Sequence, residues 1–394
     1  VPPTTPAPPR LPLPDRLRLH AGYHWRNSAD PRLTRTRTAW DTRDGAAFPA
    51  VRSDLAGLSV CYAGLAEGLA YTLEFTELRR EAGHDSARRD TTRLSGRHLR
   101  DPATLPDADI AIIGTSATRA RALPRAASLI VPMRVHFVVD THTGPDVTRA
   151  RISKRERQQY AATRRTHHWA WQPVHDPCWF DEFYDRMYRP TMRARHGDRE
   201  RTETKDAAYE CLFRTGRLFA LTQDDGQRIG GALCHWDRAS ATLTLRLLGI
   251  QDGDSKHYDS GAFKAIYHLL IDWAARNGVR HLDFQGTEPF LSKGTYQWKR
   301  RFGSRVVLPP NHFGEKRLWL RVNHDTPQVR DFLVANPLLA EDPHGHLEAV
   351  YFHDHQRPAR LDYSAASPGV HHTRHLDLDT FLAPLTTPRH RAAR

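Results

Sequence analysis

Residues 281–307 read HLDFQGTEPFLSKGTYQWKRRFGSRVV. In Leu282-Asp283-Phe284-Gln285 apolar and polar side chains alternate, which is the period of a strand. Gly286, Pro289 and Gly294 then break the backbone into a loop. Trp298 and Phe302, four residues apart, share one face of a short helical turn, and Lys299, Arg300 and Arg301 cluster beside it. The β-branched pair Val306-Val307 closes the stretch as a second strand. Polar side chains at a strand end, a loop, and a lysine behind an aromatic make a plausible active-site rim.

Upstream of this stretch the pattern is regular. Asp176-Pro177 starts a helix over 178–195, whose apolar stripe is Phe180, Phe183, Tyr184, Met187 and Tyr188. Before it, Trp169-Ala170-Trp171 reads as a strand, and after it a helix is expected over 205–215. Three strands follow, over 218–222, 228–236 and 241–248, turned by Gly226 and by Asp237-Arg238-Ala239-Ser240. A loop over 249–261 leads into a helix over 262–277, with Phe263, Ile266, Tyr267, Leu270, Ile271 and Ala274 on its buried face and Gly278 as its stop. An antiparallel meander feeding a βαβ unit is the layout of the GNAT acyltransferase fold.

The first half is sparser. Residues 1–15 are proline-rich and predict a disordered arm, and 16–50 show no period. The spacing over 55–78 predicts a helix, and the charged stretch 79–107 a long loop. Apolar runs at 109–114, 129–131 and 133–140 predict strands of an α/β unit. Residues 151–166, RISKRERQQYAATRRT, predict a basic helix carrying Arg151, Lys154, Arg155, Arg157, Arg164 and Arg165. It serves either as a solvated linker or as a phosphate-binding face. Toward the C-terminus, 320–360 pack on the core, histidines such as His353 and His355 sit on a surface lobe with no metal assigned, and 385–394 fray.

The chain has 394 residues, 39% hydrophobic side chains and a net charge of +13. That excess favours polyanions, namely nucleic acid, anionic lipid or phosphorylated metabolites; the alternative reading is a GC-rich genome writing arginine wherever lysine would do. The four cysteines, Cys61, Cys178, Cys211 and Cys234, have no CxxC spacing and read as buried free thiols of a reducing cytoplasm. No apolar run reaches membrane-spanning length, so no stable membrane insertion is expected.

Residues 150–307 resemble the Fem family of aminoacyl-tRNA-dependent peptidyl transferases. The resemblance rests on the basic helix, the aromatic-rich helix, the meander, Asp283-Phe284, Gly294 and the pair Trp298-Lys299. It implies an α/β protein of tandem GNAT-like acyltransferase folds, the first half degenerate, with mixed central sheets flanked by helices. Residues 108–140 resemble the end of that first half. The implied division is a degenerate domain over 16–150, a catalytic domain over 151–320 and an extension over 321–394. Coenzyme-A-dependent GNAT enzymes carry a glycine-rich phosphate loop before the helix. Here the place holds Asp252, Asp254 and Asp259 and no paired glycines next to the helix, which argues against an acyl-CoA donor.

The resemblance implies amide formation between a tRNA-borne amino acid and an amine, with no cofactor beyond the aminoacyl-tRNA donor. Acyl-CoA is the alternative donor, and a non-catalytic module binding RNA or anionic lipid is the third reading. Lys299 takes the role of the family's lysine, against a surface lysine as the alternative. Trp298 stacks on the terminal adenine or packs in the core. Asp283 orients or deprotonates the amine, or else pairs with an arginine. Gln285, Arg246, Tyr296 and Tyr258 complete the substrate site. Arg151, Lys154, Arg155, Arg157, Arg164, Arg165, Arg300 and Arg301 hold the tRNA acceptor stem. The acceptor is a small-molecule or peptidoglycan-precursor amine, and a cytoplasmic monomer is expected.

Overall fold

The computed structural model describes residues 7–81, 86–197, 202–223 and 225–386. The chain forms two compact units, each built from separated stretches of sequence. One comprises the chain up to Arg26 with 136–285 and 299–305; the other comprises 27–135, 286–298 and the chain from Val306 onward. The expected breaks at 150 and 320 therefore fall inside units.

Among the described residues the strands form three sheets. Their ranges are β1 Ala47–Leu55, β2 Leu58–Gly64, β3 Arg88–Ser95, β4 Ile110–Ser116, β5 Ser128–Pro132, β6 Val135–Asp140, β7 Ala170–Val174 and β8 Arg217–Thr222. They continue with β9 Arg228–Asp237, β10 Thr242–Ile250, β11 His281–Thr287, β12 Arg305–Val307, β13 Lys316–Val322, β14 Leu338–Glu341, β15 Leu347–His353 and β16 His372–Asp377. The orders are β3-β1-β2-β4-β13-β5, β12-β6-β11-β10-β9-β8-β7 and β14-β15-β16.

The two large sheets repeat one motif. An antiparallel hairpin (β1–β2, or β9–β10) is followed by a helical crossover and then by a strand parallel to the hairpin's second strand. This is the tandem GNAT-like architecture, an α/β fold of mixed sheets flanked by helices. The first copy is the degenerate one. Among the described residues its crossover has no helical segment longer than the five residues of Leu69–Leu73 and Glu74–Leu78, whereas the second copy has the 15-residue helix Ala262–Arg276. Each sheet also takes a strand from outside its own stretch of sequence: β13 lies between β4 and β5, and β6 lies beside β11.

The helix Ala262–Arg276 forms for the reason its spacing gives, with Phe263, Ile266, Tyr267, Leu270, Ile271 and Ala274 all buried. Each large side chain so buried contributes roughly 1.5–3 kcal/mol. In the other unit, strands β2, β4 and β5 and the C-terminal residues Phe332, Val350, Phe352, Leu376 and Leu382 share one core. The C-terminal region is thus part of that core rather than an appended lobe.

Several expectations need correction. Residues 7–15 are ordered: Arg10 forks onto Asp181 with both hydrogen bonds at 2.7 Å, Tyr209 donates to the Pro8 carbonyl, and a helix begins at Leu13. The first six residues of the expected arm, and 387–394, lie outside the described residues. The stretch expected as a helix from residue 55 begins with β2, which is buried along its whole length and so shows no alternation. The expected loop contains β3, which is paired along β1; residues 82–85 of it lie outside the described residues. Cys61, Cys211 and Cys234 are buried but Cys178 is exposed. No helix among the described residues is long and apolar enough to cross a membrane.

Candidate active site

Strands β10 and β11 run parallel only briefly, with Thr242–Thr244 opposite His281–Asp283. Just beyond, β10 shifts register against β9 between Leu245 and Leu247, so Arg246 is the bulged residue. Bulges of this kind bend a strand and leave carbonyls without ladder partners. Gln285 fills that role here. Its side-chain amide donates to the Leu245 carbonyl and, at 3.3 Å, to the Arg246 carbonyl. To do so it sits at φ +57°, a left-handed conformation costly for a residue with a Cβ.

Asp283 holds Gln285 in that shape. Its Oδ1 accepts from the Gln285 backbone N–H at 2.7 Å, and its Oδ2 meets Nδ1 of His136 at 2.9 Å. The carboxyl is buried, which by itself raises its pKa. The His136 ring, the Gln285 N–H and the Lys299 charge outweigh burial and hold it below the usual carboxylate range. Its partner is a histidine, where the sequence offered an arginine or a substrate ammonium. An ionised carboxylate only accepts hydrogen bonds, so Nδ1 of His136 carries the proton.

Lys299 is buried, against the expectation of a surface side chain as its alternative. Its Nζ donates to the Phe284 carbonyl at 2.7 Å and to the Gln285 carbonyl at 3.2 Å, and lies 5.9 Å from the Phe137 ring centre. The cation thus braces the strand where it leaves β10. His136, Asp283, Gln285 and Lys299 form one linked group within one unit. The histidine is the member that sequence reasoning missed; its one signal is a lone imidazole inside the apolar run Val135–Val139.

Other expected residues are placed differently. Arg246 pairs with Glu203 at 3.3 Å and lies 5.4 Å from the Tyr23 ring centre. Burial lifts the Tyr23 hydroxyl to about 12 against the pull of Arg246. Tyr258 packs on Phe263 at 5.0 Å between ring centres. Tyr296 and Trp298 belong to the other unit. Tyr296 is fully buried there and presents no surface to a substrate, while Trp298 is half-buried.

The basic segment is two helices, Pro145–Arg151 and Lys154–Thr166, broken at Ile152-Ser153. Glu156 is its buried anchor, 3.8 Å from Lys264 and 3.7 Å from His268. Arg151, Lys154, Arg155, Arg157, Arg164 and Arg165 are exposed, whereas Arg300 and Arg301 are half-buried. The Arg301 carbonyl accepts from the Ser153 N–H at 2.8 Å, tying the turn between the helices.

This segment crosses the start of the helix Ala262–Arg276. Gln159 accepts from Lys264 at 2.9 Å, and a Cβ built on Gly261 would come within 3.0 Å of the Thr163 methyl. Of the loop aspartates, Asp254 caps the short helix Ser255–Asp259 and Asp252 pairs with Arg186 at 3.4 Å. The start of the long helix therefore packs against the basic segment at Gly261 and Lys264.

A second charged group lies in the other unit. Asp41, Glu67 and His312 bring ligand-type atoms within 4.8 Å of one another, but the buried Lys316 ammonium already bonds both carboxylates, at 2.7 and 3.2 Å.

No protein-family model and no curated protein matches the sequence. Among solved structures, L-PGS from Bacillus licheniformis is similar over 78% of this chain and 96% of its own, at 10% identity and a TM-score of 0.35. The C-terminal domain of a putative lysylphosphatidylglycerol synthetase from Agrobacterium fabrum is similar over 82% of this chain and 95% of its own, at 12% identity and a TM-score of 0.38. FemX is similar over 71% of this chain and 86% of its own, at 11% identity and a TM-score of 0.36. With TM-scores below 0.5, these likenesses assign no family and no activity to the chain.

Proposed function

We propose that this chain is an aminoacyl-tRNA-dependent aminoacyltransferase. It forms an amide bond between a tRNA-borne amino acid and an amine of a cell-wall precursor or a peptide-antibiotic intermediate. One observation carries the choice of donor: the helix Lys154–Thr166 lies across the first turn of the helix Ala262–Arg276 and turns its arginines outward. In this reading a pyrophosphate would have to share that helix end with the Lys154–Thr166 helix, whereas a phosphate backbone meets a row of exposed guanidinium groups.

In this reading the ester carbonyl and the amine meet beside the strand gap that the Gln285 side chain fills. Lys299 places a positive charge beside that gap and stabilises the oxyanion electrostatically, its position fixed by the two strand carbonyls it binds. No metal is needed for this step, and the donor is the only activated reactant.

The test is direct. Purified protein is incubated with total tRNA charged with labelled amino acids and with candidate amines, in parallel with acyl-CoA donors. Transfer that RNase abolishes supports the reading. Transfer from acyl-CoA alone hands the chain to the acyl-CoA reading, and tRNA binding without any transfer makes it a binding module.

A further inference from the structure

The pair His136–Asp283 has the construction of a proton acceptor. His136 lies at the start of β6 and Asp283 on β11, and their bond at 2.9 Å joins side chains only 11% and 4% exposed. Asp283 takes a second bond from the Gln285 N–H, so its orientation is fixed from two sides. With the proton on Nδ1, the lone pair of His136 sits on Nε2. Among the described residues Nε2 bonds nothing, while Nδ1 is committed to the carboxylate. The neighbouring charge is Lys299, which acts on Asp283 while its ammonium bonds the strand carbonyls of Phe284 and Gln285.

We propose that His136, oriented by Asp283, is the general base that takes the proton from the acceptor amine. The inference rests on the aminoacyl-transfer reading and names the proton acceptor that reading needs. The amine enters neutral, and its lone pair forms the C–N bond at the ester carbonyl. Its N–H proton passes to Nε2 of His136, the C–O bond to the ribose breaks, and the imidazolium returns that proton to the departing ribose oxygen. Ester and amine become amide and alcohol, and the protein ends as it began. Asp283 is a positioning residue here: it keeps the tautomer and stabilises the imidazolium without leaving its ionised form.

The experiment has two arms on the full chain. In the first, transfer from aminoacyl-adenosine to an amine is compared for wild type, His136→Gln, His136→Ala and Asp283→Asn, with melting temperatures alongside. Loss of the base is expected to slow transfer on the order of 100-fold or more, and added imidazole is expected to restore at least tenfold of it in His136→Ala. Activity of His136→Gln within threefold of wild type overturns the proposal. So does a loss that imidazole does not relieve, because it makes the histidine structural. In the second arm, carbethoxylation of His136 by diethyl pyrocarbonate is followed by peptide mass spectrometry. His136 is expected to react, and to react several-fold more slowly in Asp283→Asn; an inert His136 beside fully modified surface histidines overturns the proposal. If wild type uses no aminoacyl-adenosine at all, the donor reading fails, and the labelling arm still decides whether Nε2 is presented as a base.

Discussion

The side-chain amide of Gln285 donates to the Arg246 carbonyl at 3.3 Å, across the place where two parallel strands part. A residue with a left-handed backbone thereby fills a gap that a ladder bond would otherwise close. Replacing it separates two effects. Gln285→Ala strands the bulge carbonyls and is expected to cost about 1–3 kcal/mol. Gln285→Gly removes the same bonds but relieves the φ of +57°, and is expected to be roughly 1 kcal/mol more stable than the alanine variant. Urea titration of the two variants checks this; a glycine variant no more stable than alanine shows that the backbone carries no strain there.

Lys299→Met keeps most of the side-chain volume and removes the ammonium. Transfer is expected to drop on the order of 100-fold, with a modest fall in melting temperature from the stranded Phe284 and Gln285 carbonyls. Turnover within threefold of wild type would remove Lys299 from the mechanism and leave it a strand brace.

Arg155, Arg157 and Arg164 are exposed on the crossing helix. Every phosphate left without its guanidinium should flatten the dependence of tRNA affinity on log salt by about 0.7–0.9. Triple reversal to glutamate is therefore expected to weaken tRNA binding and lower the slope by two to three such steps, leaving transfer from aminoacyl-adenosine unchanged. Fluorescence titrations at several salt concentrations measure both; an unaltered slope would place the RNA elsewhere.

Burial, then the charges of Lys316 and Arg37, push the His312 imidazole down to about 2. An unfolded histidine titrates near 6.5. The unfolded chain thus takes up a proton that the folded chain refuses. Stability is unaffected above about pH 7 and falls as pH drops below about 6.5, by at most about 1.4 kcal/mol per pH unit. His312→Gln should show a shallower loss of urea midpoint between pH 6.5 and 4.5; identical slopes for both proteins would count against the assignment.

The elements with a clear period were legible. Ala262–Arg276 shows its apolar face at helical spacing, and β8 to β10 announce themselves as short apolar runs between turn residues. β2 did not, because LSVCYAG is buried on both faces and carries no alternation. At the site, Asp283, Gln285 and Lys299 were within reach because they lie in one short stretch. His136 was not, since its partner is 147 residues away and only the sheet brings them together. The left-handed turn at Gln285 was hidden for another reason: no glycine marks it.

The placement of β13 bears on how the chain is made. β4 and β5 each pair with it, and it follows β5 by about 180 residues. At ribosomal speeds those two strands wait roughly 10 to 40 s with open, apolar edges before their shared partner emerges. Val131, Ile112 and Ile113, all buried in the finished sheet, are exposed to other chains through that interval. Yield of soluble protein should therefore depend on synthesis rate and on chaperones more than the stability of the finished fold suggests, and a truncation before Lys316 should aggregate rather than leave a folded first sheet.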